Sequence, residues 1–175
     1  MSLLLLAYPR LAKADHEWIQ RLRARHNPEH FKLVGPHFTL VFPVDDMAVD
    51  RFTAHAGACL KDAPQIRFVL RRAMAVNDPP HRESHVFLVP DEGHEALVAL
   101  HRRLYTGPLA GALRSDIAFT PHITVGNSTD HPAAAALARE IDAAGMNIPG
   151  TIDAVNAVRL QRRKVETLER FRLPP

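Results

Sequence analysis

Apolar and polar positions change their period repeatedly along this chain, and each change marks an element. Residues 2–8, SLLLLAY, form an almost unbroken apolar run and predict a buried strand. Leu11, Ala14, Trp18, Ile19 and Leu22 then recur at helical spacing, until HNPEH at 26–30 breaks the stripe. Residues 36–42 predict a strand closed by Pro43, and Asp45 and Asp46 predict the cap of a helix with Val49, Phe52, Ala56, Cys59 and Leu60 on one side. Ile66, Phe68 and Leu70 alternate and predict a strand over 65–76, while NDPPHRES at 77–84 is dense in turn formers and predicts a loop. A strand over 85–89 ends at Pro90. Leu97, Leu100 and Leu104 mark the next helix, which TGPLAGAL loosens. Residues 118–125 predict another strand. DHPAAAALAREIDAAG predicts a helix with Ala134, Leu137, Ile141 and Ala144 inward and Gly145 as its stop. Two strands near 151–161 and 165–173, with a turn around RRK, complete the pattern.

Helices recur among strands throughout, so a pure β class is excluded and α+β is expected. No Gly/Ser-rich linker divides residues 1–175, which predicts one domain built from two related halves, each a sheet backed by helices. At this length about 70% of the unfolded chain's surface can be buried without a metal or disulfide staple. The single cysteine, Cys59, excludes an internal disulfide and falls on a helix face as a small core residue. A net charge of +3 is too weak for broad, sequence-blind binding of duplex DNA. RLRAR at 21–25 reads as a solvated helix face. The arginine pair at 71–72 and QRRK at 161–164 fall in or beside strands, where they could border a phosphate site. The opening MSLLLLAYP lacks a basic start and a small-residue cleavage site and is too short to span a bilayer, so a cytoplasmic protein without membrane attachment is expected. Nothing predicts an exposed apolar stripe, so a monomer is expected.

Candidate chemistry enters through a repeat. PHFTLV at 36–41 and PHITVG at 121–126 both read Pro, His, apolar, Thr, apolar. Strand alternation puts His37, Thr39 and Val41 on one face, with Phe38, Leu40 and Phe42 on the other. It likewise groups His122, Thr124 and Gly126 against Ile123 and Val125. A buried His-Thr pair without a partner is costly. Two such pairs facing one cleft can be satisfied by water and substrate. A neutral imidazole can take a proton from an attacking hydroxyl, an imidazolium can protonate a leaving oxygen, and threonine hydroxyls can donate to phosphate oxygens. His37, Thr39, His122 and Thr124 are therefore the candidate catalytic residues. The chain has eleven histidines, and the other helix-borne ones, His101 among them, read as structural. His81 and His85 lie four apart across a loop boundary, and no pair has the His-Glu-x-x-His zinc spacing. Glycine-rich phosphate loops and a Gly-x-Ser-x-Gly elbow are absent, and no cofactor is expected.

At PHFTLVFP and FTPHITVGN the sequence resembles the two-histidine (2H) phosphoesterase superfamily, and more narrowly its bacterial 2′-5′ RNA ligase branch. AYPRLAKADHEWIQRLRARHNPEH and AVRLQRRKVETLERFRL resemble the branch's strand-helix lead-in and closing hairpin. The resemblance implies a bilobal, pseudo-symmetric α+β fold of two intertwined lobes, with two mainly antiparallel sheets flanked by helices and a cleft between them. It implies catalytic roles for His37, Thr39, His122 and Thr124, and metal-free chemistry on 2′,3′-cyclic phosphates or 2′-5′ linkages of RNA ends or nucleotides. Val125-Gly126 replaces the bulkier pair after Thr39, which would widen the pocket there. Two other readings stand beside it. One is a module that binds an RNA end or nucleotide phosphate without turnover, using the basic segments at 71–72 and 161–164. The other is a phosphodiesterase for a small cyclic sugar phosphate.

Overall fold

The computed structural model describes residues 1–114 and 118–175. Its strands are β1 (Ser2–Ala7), β2 (Arg10–Leu11), β3 (Phe38–Val44), β4 (Ile66–Asp78), β5 (Glu83–Glu92), β6 (Ile123–Ser128), β7 (Ile148–Ile152), β8 (Ala154–Gln161) and β9 (Lys164–Arg172). Its helices are α1 (Lys13–His26), α2 (Pro28–Leu33), α3 (Val49–Leu60), α4 (His94–Leu104) and α5 (His131–Ala143). The strands form two sheets, ordered β3-β1-β8-β9 and β2-β7-β4-β5-β6. Every paired neighbour is antiparallel. This is the α+β architecture that the pattern predicts. The lobes are not successive halves of the chain, because β1, near the chain start, pairs with β8, near its end.

The apolar stripes pack as spaced. Phe52, Ala56, Cys59 and Leu60 of α3, Leu97, Leu100 and Leu104 of α4, and Ala134 and Ile141 of α5 are all buried. Asp130 caps α5, its carboxylate accepting from the Ala133 amide at 3.2 Å, and Gly145 ends the helical region in the left-handed region at φ 68°. Ala144, expected inward, is exposed at the helix end.

Several boundaries differ from the pattern. Leu11 belongs to β2, and HNPEH runs into α2, whose first residue is Pro28, a favoured opening position. Asp45 and Asp46 do not cap α3. Asp45 accepts from the Ser2 hydroxyl at 2.8 Å, Asp46 turns the chain at φ 57°, and Ala48 precedes the helix. Half of the segment 77–84 is strand, since β4 and β5 pair as far as Asp78↔Glu83 and only a 3₁₀ turn at Pro79–His81 and Arg82 intervene. Pro90 lies inside β5, opposite Leu70. The tail holds three strands, because β7, with the sequence IPGTI, has a proline and a glycine that conceal it as a strand.

Candidate active site

Both motif histidines sit just before an edge strand, His37 ahead of β3 and His122 ahead of β6. The same local bond fixes each ring. His37 Nδ1 lies 2.8 Å from the Gly35 carbonyl, and His122 Nδ1 lies 2.6 Å from the Thr120 carbonyl. A carbonyl only accepts, so Nδ1 carries the proton in both rings, and in the neutral ring Nε2 is left as the basic nitrogen. Proline at 36 and at 121 biases the preceding residue toward extended backbone, which suits its carbonyl to accept from the ring two positions on.

The likeness of the two motifs extends past the threonines. On β3 the register passes from Leu6↔Thr39 to Leu5↔Val41, so Leu40 is an extra residue. On β6 it passes from Phe87↔Thr124 to Val86↔Gly126, so Val125 is the extra one. Each motif strand therefore carries a bulge immediately after its threonine. The bulge overturns simple alternation. Leu40 and Val41 are both buried while Phe42 is 40% exposed, and Val125 and Gly126 are both buried. Val41 and Gly126 thus leave the His-Thr face. Gly126 does not widen a pocket: a Cβ there would meet Leu137 Cδ2 at 3.2 Å, and His26 Cβ and Val86 Cβ at 3.4 Å, all on the helix-packed side.

Behind the motifs, α4 ties them together. His101, 4% exposed, donates from Nδ1 to the Leu40 carbonyl at the first bulge, at 2.8 Å. Its ring stacks on Phe119, ahead of the second motif, with centroids 3.7 Å apart. The Tyr105 hydroxyl accepts from the Phe42 amide at 2.9 Å. The contacts of His101 are structural, and they join β3 to the segment ahead of β6.

On the site face, His122 stacks on Phe87 at 3.5 Å, and Phe87 is parallel to His85 at 5.9 Å. His85 Nδ1 lies 3.3 Å from Asn127 Oδ1, and its Nε2 lies 3.4 Å from Asp78 Oδ2. Tyr8, just after β1, meets His37 edge-on at 6.0 Å. The threonine hydroxyls have no hydrogen-bond partner among the described residues.

Burial pushes the His37 pKa from 6.5 down to about 4, the Gly35 bond opposing the shift and the charges of Arg23 and His30 adding to it. Burial does the same to His122, also to about 4, with the Thr120 bond opposing and charge on His37 and His85 adding. The two motif imidazoles are thus within electrostatic reach of each other, and Thr39 and Thr124 lie two residues after them at the start of β3 and β6. Two imidazoles with free Nε2 atoms, flanked by unengaged hydroxyls, can accept one proton, donate another and hold an anion between them.

The sequence reading missed Arg23, His85 and Phe87. Arg23 is 2% exposed rather than solvated. It falls four residues after buried Ile19, on the inward stripe, and that spacing was the available signal. His85 and Phe87 alternate with buried Val86 and Leu88, which places them on the site face. The basic segments lie elsewhere. Arg71 pairs with Asp91 and Glu92, and together with Arg72 it lines a cavity of about 470 Å³ that none of the motif residues line. Arg163 pairs with Glu29. Among the described residues no group of three or more His, Cys, Asp or Glu side chains is placed to hold a metal ion, and no helix is long and apolar enough to cross a membrane.

A family model described as the 2′-5′ RNA ligase superfamily matches residues 10–164. A Geobacillus thermodenitrificans protein that is a phosphoesterase by name is 24% identical over 167 residues, covering 93% of this chain and 82% of that one. The crystal structure of E. coli LigT complexed with 3′-AMP is similar at a TM-score of 0.58 and 20% identity, over 99% of this chain and 98% of that one. The crystal structure of TT0787 from Thermus thermophilus gives a TM-score of 0.60 at 17% identity, over 99% and 98%. At such identities the two structures speak for the fold.

Proposed function

The chain belongs to the 2′-5′ RNA ligase superfamily, and we propose that it cleaves a 2′,3′-cyclic phosphate or a 2′-5′ phosphodiester of an RNA end or nucleotide, without a metal. The observation that carries this reading is the matched pair of rings, each with Nδ1–H bound to the carbonyl two residues earlier and Nε2 left for chemistry. One neutral Nε2 takes a proton from the attacking water as its oxygen bonds to phosphorus. The other histidine, as imidazolium, gives its proton to the ribose oxygen as the P–O bond breaks. Thr39 and Thr124 donate to the non-bridging oxygens as negative charge builds there. Each positioned acid or base contributes typically about 10²–10⁴-fold. E. coli LigT has been crystallised with 3′-AMP, with phosphate and with ATP, which supports a nucleotide phosphate as the ligand class.

One observation favours the alternative of binding without turnover. With both pKa values near 4, the free protein holds almost no imidazolium at neutral pH. Catalysis then requires the substrate's own anion to restore a proton to one ring. Hydrolysis of a 2′,3′-cyclic nucleotide in excess chelator separates the readings. The proposal expects turnover that His37→Ala or His122→Ala lowers by about 10²-fold or more, and that Thr39→Val or Thr124→Val lowers less. Parental rates in both histidine variants would end the catalytic reading. Salt-sensitive binding with no product would establish the alternative.

A further inference from the structure

We infer that Arg23 is a positioning residue for His37: from α1 it anchors the segment that carries the Gly35 carbonyl, and its charge helps to hold the resting ring in the neutral form that a general base needs. This rests on the proposed reaction. The guanidinium is buried, yet its hydrogen bonds all go to neutral oxygens: Nη1 to Gln20 Oε1 at 2.7 Å, and Nη2 to the Val34 carbonyl at 2.6 Å and the His30 carbonyl at 3.2 Å. Among the described residues no carboxylate pairs with it. A buried charge without a counter-ion is costly, and a methyl-rich side chain would fill the same space without that cost. What the guanidinium adds is a planar fork with one arm, Nη2, on two carbonyls and the other, Nη1, on Gln20. Val34 immediately precedes Gly35, so the guanidinium holds the peptide next to the one that fixes the His37 ring.

α1 also packs against β6, where the His26 Cβ approaches Gly126. The helix thus spans from the strand after His122 to the segment before His37, and Arg23 is its contact with the latter. The titratable groups facing His37 are Arg23 from α1, His30 from α2, Tyr8 after β1 and His122 ahead of β6. Burial favours the neutral form of His30, His122 and Tyr8, so Arg23 is the one among them that stays charged at neutral pH. A fixed positive charge beside His37 and not beside His122 breaks the symmetry of the pair. It makes His37 the proton acceptor and leaves donation to His122.

Two variants separate the fork from the charge. Arg23→Lys keeps the charge and loses the fork; Arg23→Met keeps the bulk and loses both. Both are expected to lower kcat about 10- to 100-fold with little change in KM, because a misplacement near 1 Å can cost about 10²-fold. Only Arg23→Met moves the acid limb of the pH profile, and it moves it upward, since removing a positive neighbour raises the pKa of the base. The alkaline limb stays. Movement of the alkaline limb alone, or loss confined to KM, overturns the inference. Ring ¹⁵N shifts of His37 provide a readout independent of turnover. In the unaltered chain they must report the Nδ1–H tautomer, and in Arg23→Met the His37 titration must move to higher pH. An Nε2–H tautomer in the unaltered chain overturns the inference even if neither variant folds. Correct shifts with no turnover would instead count against the proposed reaction.

Discussion

The likeness of His37 and His122 was legible from sequence because their motif occurs twice, and the structure adds that the repeat includes the ring-to-carbonyl bond. Arg23 was illegible by residue type, since a cationic cluster normally reads as a wet helix face; only its spacing from Ile19 pointed inward. Desolvation was likewise invisible, because it depends on what packs around a ring and not on the ring's neighbours in sequence. It leads to a kinetic prediction. In the free protein both imidazoles have pKa values near 4, so both are neutral above about pH 5. A bound phosphodiester anion favours the charged ring and raises those values. Since kcat/KM reports the free enzyme and kcat the complex, the kcat/KM optimum should lie on the acid side of neutrality and the kcat optimum at distinctly higher pH. Measuring both profiles on a 2′,3′-cyclic nucleotide checks this. Coincident optima would mean that substrate does not recharge the site.

Elements were legible where one face is packed and the period is regular, as in α3, α4 and α5. They were illegible where an extra residue interrupts the period. A strand with a bulge reads from sequence as a strand with strict alternation, so the faces assigned to Val41 and Gly126 were inverted. The turn-rich segment at 77–84 misled for another reason: pairing with a neighbour carries a strand right up to a turn, past the residues whose local preference is for loops. The corrected role of Gly126 can be tested. Its missing Cβ is what lets α5 and the end of α1 lie against β6, and a methyl group there must displace the Leu137 side chain by a few tenths of an ångström. Gly126→Ala should cost about 1–3 kcal/mol of stability, the usual range for overpacking. Equilibrium unfolding in urea measures it. A midpoint equal to the parent's would show that this face has slack, and would return Gly126 to the reading in which it opens the site.

At the scale of the whole molecule, the α+β class followed from the mixture of periods, but the partition into sheets did not. No local pattern says that β1 lies between β3 and β8, or that β7 lies between β2 and β4. That arrangement closes the fold around the histidines and gives them a joint effect on stability. Burial lowers the pKa of His26, His30, His37, His101 and His122 alike. The unfolded chain protonates these groups near pH 6.5, whereas the folded one resists protonation until lower pH. Between the two values the unfolded state binds more protons, so stability rises with pH there. The contribution is complete above about pH 6.5 and is lost as pH falls toward 4. For His37 and His122, a drop from 6.5 to about 4 corresponds to about 3 kcal/mol each. Glu29 and Glu166 are lowered from 4.5, and Asp78 and Asp91 from 3.8, so their own linked loss sets in only at the acid end of this window and below it. Urea unfolding at several pH values between 7.5 and 4.5 should therefore show a steady loss of stability. The loss should be markedly smaller in a His37→Asn/His122→Asn double variant, which has no imidazole to charge at either position. On the proposed reading, inorganic phosphate is a ligand of the folded site and should restore part of the loss in the parent, most strongly where the rings are protonated. Equal slopes in parent and double variant would show that the two rings are already hydrated in the free protein, and the same result would remove the reason to expect separated kcat and kcat/KM optima.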